Sequence, residues 1–394
     1  MANASLSARL WDAVGEERQH TALVVQAVYQ GAGGTGATVM PPTYPIGDND
    51  PIHKKYLLHD RLVPGEGRVP VVTLDQEQAQ ANRVEEALLR ARDKGRLRYP
   101  LFEMRSETPY GEVRLTSLDF PHRYADAYLR DSTVDGVRFD KSEVGQLLRQ
   151  TSAGDVRPLF TRDPGSLVFG AWDSHRKGRW PKFARLYAAY MHGVDPVLGV
   201  RRGGRLDPQN LTGRVDDKKK AEGDWGHLPP SSEAKKAPGE KLSEIGHGNI
   251  APNPVPGGVT VREVRRMASV SLAGLERLEF GDVSEDAATA ARATLAALAL
   301  AGDRLAFGKP SVWLRSGCDL AKQSETVGLE RPGGGVDELD VSVQQALDAF
   351  HELRDKADGF GVVMGEDTIV VEPISGLANA LSYAVSQAAD DGDE

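Results

Sequence analysis

The chain has 394 residues, a formal net charge of −9 and 40% hydrophobic residues, which is enough to build one elaborated domain with a sizeable core. Its single cysteine, Cys318, excludes an intrachain disulfide and any multi-cysteine zinc or iron–sulfur site. The most apolar stretch is too short to cross a bilayer, and the first 14 residues lack the apolar core of a secretory signal. We therefore expect a soluble, cytoplasmic protein with no membrane partner.

The net charge conceals a segregation of charge along the chain. Residues 172–220 carry 12 Lys and Arg against 5 Asp and Glu, whereas residues 331–394 have a net charge of −11. A polyanion responds to a local patch within a Debye length of about 8–10 Å, so the acidic total does not exclude nucleic acid. The acidic region either meets a basic face of a neighbouring copy or is simply solvated.

The N-terminal half is predicted to mix strands, helices and long loops. Its clearest element is a helix at 76–94, where apolar residues recur at i, i+3, i+4 and i+7 and Asp75 is the predicted N-cap. The remaining predictions are strands at 23–29, 69–74, 112–118 and 166–171, and helices at 125–130, 141–149 and 181–191.

The C-terminal half is interrupted by a segment rich in proline and glycine. Residues 215–258 contain 6 Pro and 7 Gly, a composition that predicts a loop or a partly disordered insertion. Elsewhere we predict helices at 261–278, at 285–301 with Ser284 as N-cap, and at 342–356, and strands at 197–202, 311–315, 361–364 and 368–371. The mixture indicates an α+β or mixed α/β class.

Neither a dinucleotide site nor a metal site is supported by motif. Residues 31–36 match G-x-G-x-x-G after a strand, but Pro41 and Pro42 follow where a phosphate-binding helix has to begin, which favours a flexible glycine loop. The nine histidines do not have the spacing of a zinc motif. We expect no cofactor and no metal.

Cations and aromatic side chains alternate in the basic segment, which we define as residues 172–185. Lys and Arg neutralise phosphates, while aromatic and guanidinium planes stack on unpaired bases. Downstream, Arg201, Arg202 and Arg205 flank two glycines, where a backbone can approach a ligand closely. The pattern is typical of nucleic-acid binding, although a solvated charged face remains the simpler alternative.

Seven segments, taken in order and spacing, resemble one known family across nearly the whole chain. They are residues 78–83, 167–174, 199–208, 243–250, 259–261, 271–278 and 314–320. The family is that of the backbone subunit of the type I-G (formerly I-U) CRISPR Cascade complex, a Csb-type RAMP protein of the seventh Cas family. The chain departs from the family pattern at Arg202-Gly203-Gly204, where small hydroxyl residues are expected between two arginines, and at Gly317, where a basic residue is common.

The resemblance implies an α+β fold with an RRM-like (ferredoxin-like) palm and inserted thumb and finger elements. The chain would form one elaborated domain over residues 1–394. Its insertions would be a glycine- and proline-rich loop at 31–68 and a flexible segment at 203–260, the possible thumb or finger.

The resemblance also implies the function. Copies would stack into a helical filament along the spacer of a CRISPR RNA and present the guide for pairing with a target DNA strand, in antiviral defence. The further partners implied are other copies of the chain, the subunit that holds the 5′ handle or processes the RNA, the large Cascade subunit, and the helicase-nuclease that the complex recruits.

We expect a non-catalytic scaffold that grips the RNA backbone. The strongest candidates for RNA contacts are Arg176, Lys177, Arg179, Lys182, Arg201, Arg202 and Arg205. The weaker candidates are Gln80, Asn82, Arg83, His247 and Asn249. For Asn82 and Arg83 the alternative is an ordinary exposed helix face.

Two rival functions come from other classes. Related RAMP proteins cut RNA, and an endoribonuclease would use Asp173 and His175, although an Asp beside a strand end also serves as a cap or turn residue. A nucleotide-dependent enzyme would instead use the glycine loop at 31–36, and its nucleotide binding would be lost in Gly33→Val.

Overall fold

The computed structural model describes residues 4–47, 49–172, 181–230 and 238–392. The α-helices of these residues are α1 (Leu6–Val14), α2 (Glu77–Asp93), α3 (Ala127–Arg130), α4 (Glu143–Arg149), α5 (Arg157–Arg162), α6 (Pro164–Phe169), α7 (Leu272–Glu276), α8 (Glu285–Phe307), α9 (Val343–Gly359) and α10 (Ser375–Gly392). The strands are β1 (Ala22–Gly31), β2 (Leu58–Val63), β3 (Gly67–Asp75), β4 (Leu101–Thr108), β5 (Gly111–Thr116), β6 (Ser132–Val134), β7 (Val137–Arg138), β8 (Tyr187–Val194), β9 (Val197–Arg205), β10 (Arg214–Val215), β11 (His227–Leu228), β12 (Glu240–Lys241), β13 (Ile250–Thr260), β14 (Glu263–Ser271), β15 (Ser311–Trp313), β16 (Asp319–Glu330), β17 (Val336–Glu338) and β18 (Thr368–Pro373).

A central antiparallel sheet organises the molecule. Its strands lie in the order β15-β16-β1-β14-β8-β3-β2, with β17 paired to β16. Four adjacent strands of this sheet and two helices follow one another along the chain in the order β1, α2, β8, β14, α8 and β16, with other elements inserted between them. This is the connectivity of a β-α-β-β-α-β unit. The hairpin of β2 and β3 is inserted before α2 and extends the sheet beside β8. The predicted α+β class is confirmed.

The two faces of the central sheet differ in burial. On one face, Leu23 and Val25 of β1 lie together with Ala299 and Leu300 of α8. Helix α8 is rich in Ala and Leu around its whole circumference and is buried along most of its length, as expected for a helix inside a core. The opposite face, which we call the open face, carries the exposed Gln26.

Helix α8 continues through Gly302, where the sequence predicts its end. A Cβ atom at Gly302 would lie 2.5 Å from Cγ1 of Val84, so glycine is required for the close packing of α8 against α2. The predicted N-cap is confirmed, because the Ser284 hydroxyl accepts a hydrogen bond from the amide of Ala287.

A buried ion pair joins the central sheet to both helices. Arg266 of β14 points into the core, donates to the Asp303 carboxylate at 2.5 Å and donates through Nε to the Gln80 side-chain oxygen at 2.8 Å. Burial raises the pKa of Asp303, but the charges of Arg266 and Arg304 outweigh it and hold that pKa well below its usual range. The pair is thus ionised and fixes β14 against α8 and α2.

A second sheet is built from residues far apart in sequence. Its strands lie in the order β5-β4-β18-β6-β7, and β18 runs parallel to β4 with Ile369 opposite Phe102. The acidic C-terminal part of the chain therefore completes a sheet that residues 101–138 begin.

A two-stranded extension of β8 and β14 forms what we call the arm, defined as β9, β13 and residues 206–249. The last pair of the central sheet, Val194 with Glu263, is followed by Val197 with Thr260. Between them Asp195 has φ of 52°, in the left-handed region. Arg262 braces this junction, because it donates to Asp195 at 2.9 Å and to Glu66 of the β2–β3 turn at 2.7 Å.

Two predicted helices are wrong because their buried residues recur with the period of a strand and not of a helix. The predicted helix at 261–278 is strand β14 followed by the short α7, and the predicted helix at 181–191 gives way to strand β8. Buried residues recur every second position in both strands, as in Tyr187, Ala189 and Met191. A buried arginine, Arg266, obscures this period in β14.

Other boundaries also differ from the predictions. The predicted strand at 166–171 is helix α6, which begins at Pro164, a residue suited to the first helical turn. Residues 361–364 are not a strand, and only β18 remains of the predicted pair. Asp75 does not cap α2, since its carboxylate instead accepts hydrogen bonds from side chains of that helix. The proline-rich segment contains strands β10 to β13.

The remaining elements agree closely with the predictions. Strands β1, β3, β5, β9 and β15 and helices α2, α3, α4 and α9 lie within a few residues of the predicted ranges. Over the described part of the chain, no helix is both long and apolar enough to cross a membrane.

Candidate nucleic-acid interface

The two ends of the basic segment are held together by backbone hydrogen bonds. Ala171 and Phe183 exchange N–H to carbonyl bonds of 3.1 and 3.0 Å. The Lys182 ammonium lies 4.7 Å from the centre of the Trp172 ring, and 55% of Trp172 is exposed. The structure thus places Lys182 at the surface beside an exposed aromatic ring. The candidates Arg176, Lys177 and Arg179, and the rival pair Asp173 and His175, lie outside the described residues.

A cavity of about 510 Å³ lies between Trp172 and helix α2. Asn82 of α2 lines it together with His122, Trp172 and Arg185. Burial, and then the nearby charge of Arg123, lower the pKa of Arg185. Asn82 is exposed, so of the three α2 candidates it is the one that the fold brings next to the basic segment.

The other two candidates on α2 face inward. Gln80 is fully buried, and its amide donates to Asp75 at 2.7 Å. Arg83 donates to the same carboxylate at 2.9 Å and to the carbonyl of Trp313 at 3.0 Å. Both side chains therefore serve the packing of α2, and the exposed-helix alternative describes Asn82 alone.

Two arginines are presented on the arm. Arg201 pairs in register with Val255, and Arg202 pairs with Pro254. Both are exposed, and within the described residues neither guanidinium has an ion pair or a side-chain hydrogen bond. Because successive residues of a strand point to opposite faces, the two charges lie on opposite faces of the arm.

Arg205 differs from Arg201 and Arg202 because its guanidinium forms hydrogen bonds to other residues of the arm. It donates to the carbonyl of Gly248 at 3.0 Å and to that of His247 at 2.7 Å. These bonds hold the loop that precedes β13 against the end of β9. The side chain of Arg205 is accordingly a structural element of the arm, with part of its surface still accessible.

The last two candidates belong to the same loop. The Asn249 side-chain oxygen accepts a hydrogen bond from the amide of Asp207 at 2.6 Å, and the His247 ring lies 5.9 Å from that of Trp225. Backbone hydrogen bonds from Gly248 and Gln209 lower the pKa of the Asp207 carboxyl. The loop is thus ordered by its own polar contacts, with His247 and Asn249 exposed on it.

The two sets of cations lie at opposite ends of β8. Lys182 precedes the strand and the arm follows it, so a strand of eight residues, roughly 26 Å, separates them. A single small anion does not span that distance, but several nucleotides of a single strand do.

The alternative sites receive little support from the described residues. Among them there is no group of three or more His, Cys, Asp or Glu that could hold a metal ion. No helix follows the glycine loop within residues 31–47, where Val39 instead pairs with Val259 of the arm. The glycines are thus followed by a loop, as the sequence predicts.

One surface was missed by the sequence analysis. Tyr190 and His192 of β8 lie on the open face next to Arg61 of β2, around a cavity of about 620 Å³. They were missed because residues 181–191 were predicted to be a helix. The signal that could have found them is the strand period at the start of β8, where Tyr187, Ala189 and Met191 are buried and the residues between them are more exposed.

Comparison with known proteins finds one similarity, over the N-terminal part of the chain. Residues 23–197 match the model of a family described as CRISPR-associated protein GSU0053. The matched range contains β1, α2, the basic segment and β8, and it ends where the arm begins. This similarity supports a CRISPR-associated protein. No curated protein matches the chain.

Proposed function

We propose that this protein is a CRISPR RNA-binding backbone subunit that oligomerises along the spacer in a type I-G Cascade complex and presents the guide for pairing with target DNA. The similarity of residues 23–197 to a CRISPR-associated family supports a role in a CRISPR system. The main support for RNA binding is that Arg201 and Arg202 are exposed on the arm and that neither has an ion-pair partner among the described residues. The partners proposed are those of such a complex in the cytoplasm, namely the other Cascade subunits and the recruited helicase-nuclease.

The chemistry of these residues suits a subunit that accepts any spacer sequence. Guanidinium and ammonium groups bind phosphates regardless of base identity, and sequence is then read by Watson–Crick pairing. Lys182 and Asn82 lie near one end of β8 and the arm arginines at the other. We propose that the RNA backbone runs between these two ends.

The placement of Arg201 and Arg202 on opposite faces supports assembly as well as binding. One face of the arm meets the RNA, and the other meets a neighbouring copy or the target strand. Exposed apolar side chains on the arm, Val197, Val200 and Leu206, add contact area for such a neighbour. We propose that the subunit is not itself an enzyme.

The experiment that tests this proposal measures how many copies assemble on RNA and how binding depends on salt. Purified protein is mixed with single-stranded RNA of increasing length, and the mass of the complexes is determined at several salt concentrations. We expect the number of bound copies to rise with RNA length and the affinity to fall steeply with salt, because phosphate contacts release counterions. Binding that does not respond to salt, or no binding, contradicts the proposal.

The rival endoribonuclease is tested separately. Labelled CRISPR RNA is incubated with the protein in the presence and absence of Mg²⁺, and the products are separated by length. We expect intact RNA. Cleavage that disappears in Asp173→Ala and in His175→Ala would replace the scaffold with a nuclease.

A further inference from the structure

The open face of the central sheet carries a stack of three planar groups. The rings of Tyr190 and His192 lie 5.6 Å apart and nearly parallel, at 24°. The guanidinium of Arg61 lies 3.9 Å from the centre of the Tyr190 ring. Residues i and i+2 of β8 share a face, and β2 at the sheet edge brings Arg61 over them.

The cavity beside this stack combines charge with neutral polar groups. Its volume of about 620 Å³ is within the range of ligand pockets. Gln26, Ser324 and Thr326 line it with amide and hydroxyl groups, and Met267, 40% exposed, adds a polarisable sulfur. The lining therefore offers donors, acceptors and a stacking surface together.

Two nitrogens of residues that line this cavity have no hydrogen-bond partner among the described residues. Nδ1 of His192 is buried, as is Nε of Arg61, and His192 is only 4% exposed. A buried polar atom without a partner is costly and is uncommon in native proteins. Both atoms belong to residues that line the cavity, which indicates that a polar ligand completes their hydrogen bonding.

The charge state of the stack favours a planar aromatic ligand carrying negative charge. Burial, followed by the charges of Arg61 and Arg265, lowers the pKa of His192 to about 4. The ring is therefore neutral at pH 7 and adds no positive charge beside Arg61. Arg265 is paired with Glu66 and Glu263. Arg61 has no ion-pair partner in the described part of the chain and is available to a phosphate.

We propose that this cavity binds an unpaired base of single-stranded RNA, stacked on the layer of Tyr190 and Arg61, with its phosphate on the Arg61 guanidinium. Aromatic side chains on sheet faces and guanidinium planes stack bases in this way, and neutral polar groups contact the base edge. The site lies on the open face, separate from the basic segment and the arm. This inference rests on the proposed function, because it needs RNA to be the ligand.

The test compares substitutions of one ring. Binding of a short fluorescent oligouridine is measured with full-length wild type, Tyr190→Ala and Tyr190→Phe, after confirming that their melting temperatures agree. We expect Tyr190→Ala to weaken binding about 5- to 100-fold and Tyr190→Phe to remain within about 3-fold, since stacking needs the ring and not the hydroxyl. Tyr110→Ala, which removes an exposed tyrosine from the β4–β5 turn, is the matched control and should bind as wild type does.

A second measurement needs no variant. Photocrosslinking of thiouridine-containing RNA to the wild-type protein should attach RNA to peptides containing Tyr190 or Arg61. Binding that weakens with salt but is unchanged in Tyr190→Ala, with no crosslink to these peptides, overturns the inference and leaves the proposed function standing. Absence of any RNA binding overturns both. Equally tight binding of free uridine monophosphate would show a mononucleotide site and overturn the assignment to a strand.

Discussion

The ammonium of Lys182 lies over the Trp172 ring, 4.7 Å from its centre, and joins the residues on either side of positions 173–180. Next to this pair, Ala171 and Phe183 exchange two backbone hydrogen bonds. The ends of the basic segment are therefore positioned by the fold before any ligand binds. A cation–π contact at an exposed site contributes only about 0.5–1 kcal/mol, so its importance lies in placing a cation beside a stacking surface.

This relationship predicts a selective effect of Trp172→Ala. Loss of the ring removes both the surface for a base and the group that orients Lys182. We expect a loss of RNA affinity of about 5-fold or more, measured by fluorescence anisotropy, with a change in unfolding free energy below about 1 kcal/mol. Trp313→Ala is the control, because Trp313 is also exposed but lies on the edge strand β15. Equal losses in the two variants would contradict the assignment of the basic segment to RNA.

Arg201→Ala and Arg202→Ala should differ from one another. Because their side chains leave opposite faces of the arm, a strand of RNA that lies on one face contacts one of them. The variant of that arginine should lower affinity and reduce the slope of log affinity against log salt by about 0.7, the value for one single-strand phosphate contact. The other variant should leave the slope unchanged. Arg90→Ala, which removes an exposed arginine of α2, is the control, and a similar slope change there would refute a specific contact.

Substitutions of two nearby polar residues of α2 should differ in their effect on the free energy of unfolding. Gln80→Ala leaves Nε of the buried Arg266 without its partner, and we expect a loss of about 1–3 kcal/mol in the free energy of unfolding by urea. Asn82→Ala removes an exposed amide beside Trp172 and should leave unfolding unchanged within about 0.5 kcal/mol. A larger loss of stability in Asn82→Ala would mean that the environment of α2 differs from the one described.

A buried carboxyl predicts an unusual pH dependence. Burial raises the pKa of Asp163 from 3.8 to about 6, against the opposing hydrogen bond from Ser166 and the charge of Arg123. Since the folded-state pKa exceeds the unfolded one, this group contributes stability that is complete below about pH 4 and is lost as the pH rises through about 6. Other carboxyls in the protein, such as Asp303, have lowered pKa values and act in the opposite direction, so the effect has to be measured as a difference.

The difference between wild type and Asp163→Asn isolates this group. The variant cannot ionise, so its stability relative to wild type should rise by roughly 2–3 kcal/mol from about pH 4 to about pH 7. Chemical denaturation at a series of pH values measures it. The exposed Asp286→Asn on α8 is the control and should give a flat difference. A flat difference for Asp163→Asn as well would show that its carboxyl is solvated.

Helix α2, strand β1 and the N-cap of α8 were predictable because their signals are local, whereas the predicted Asp75 cap of α2 was wrong. Each signal lies within a short stretch of consecutive residues: the apolar period of α2, the Ser284 cap of α8 and the buried residues of β1. Strands β8 and β14 were not recovered, because their alternation is interrupted by residues whose burial depends on distant partners. Arg266 is buried only because Asp303 and Gln80 meet it from two helices.

The candidate site was likewise predictable only in part from the sequence. The amino-acid sequence by itself determined which residue types could contact RNA and that positive charge is concentrated between residues 172 and 220, within an acidic chain. Only the tertiary structure decided which of those side chains are accessible to a ligand. Gln80, Arg83 and Arg205 make internal hydrogen bonds, whereas Asn82 and Arg201 are exposed and make no side-chain hydrogen bond within the described part of the chain. The reason is physical: a polar side chain is available to a ligand only if no partner within the chain satisfies it, and those partners lie up to 230 positions away in sequence.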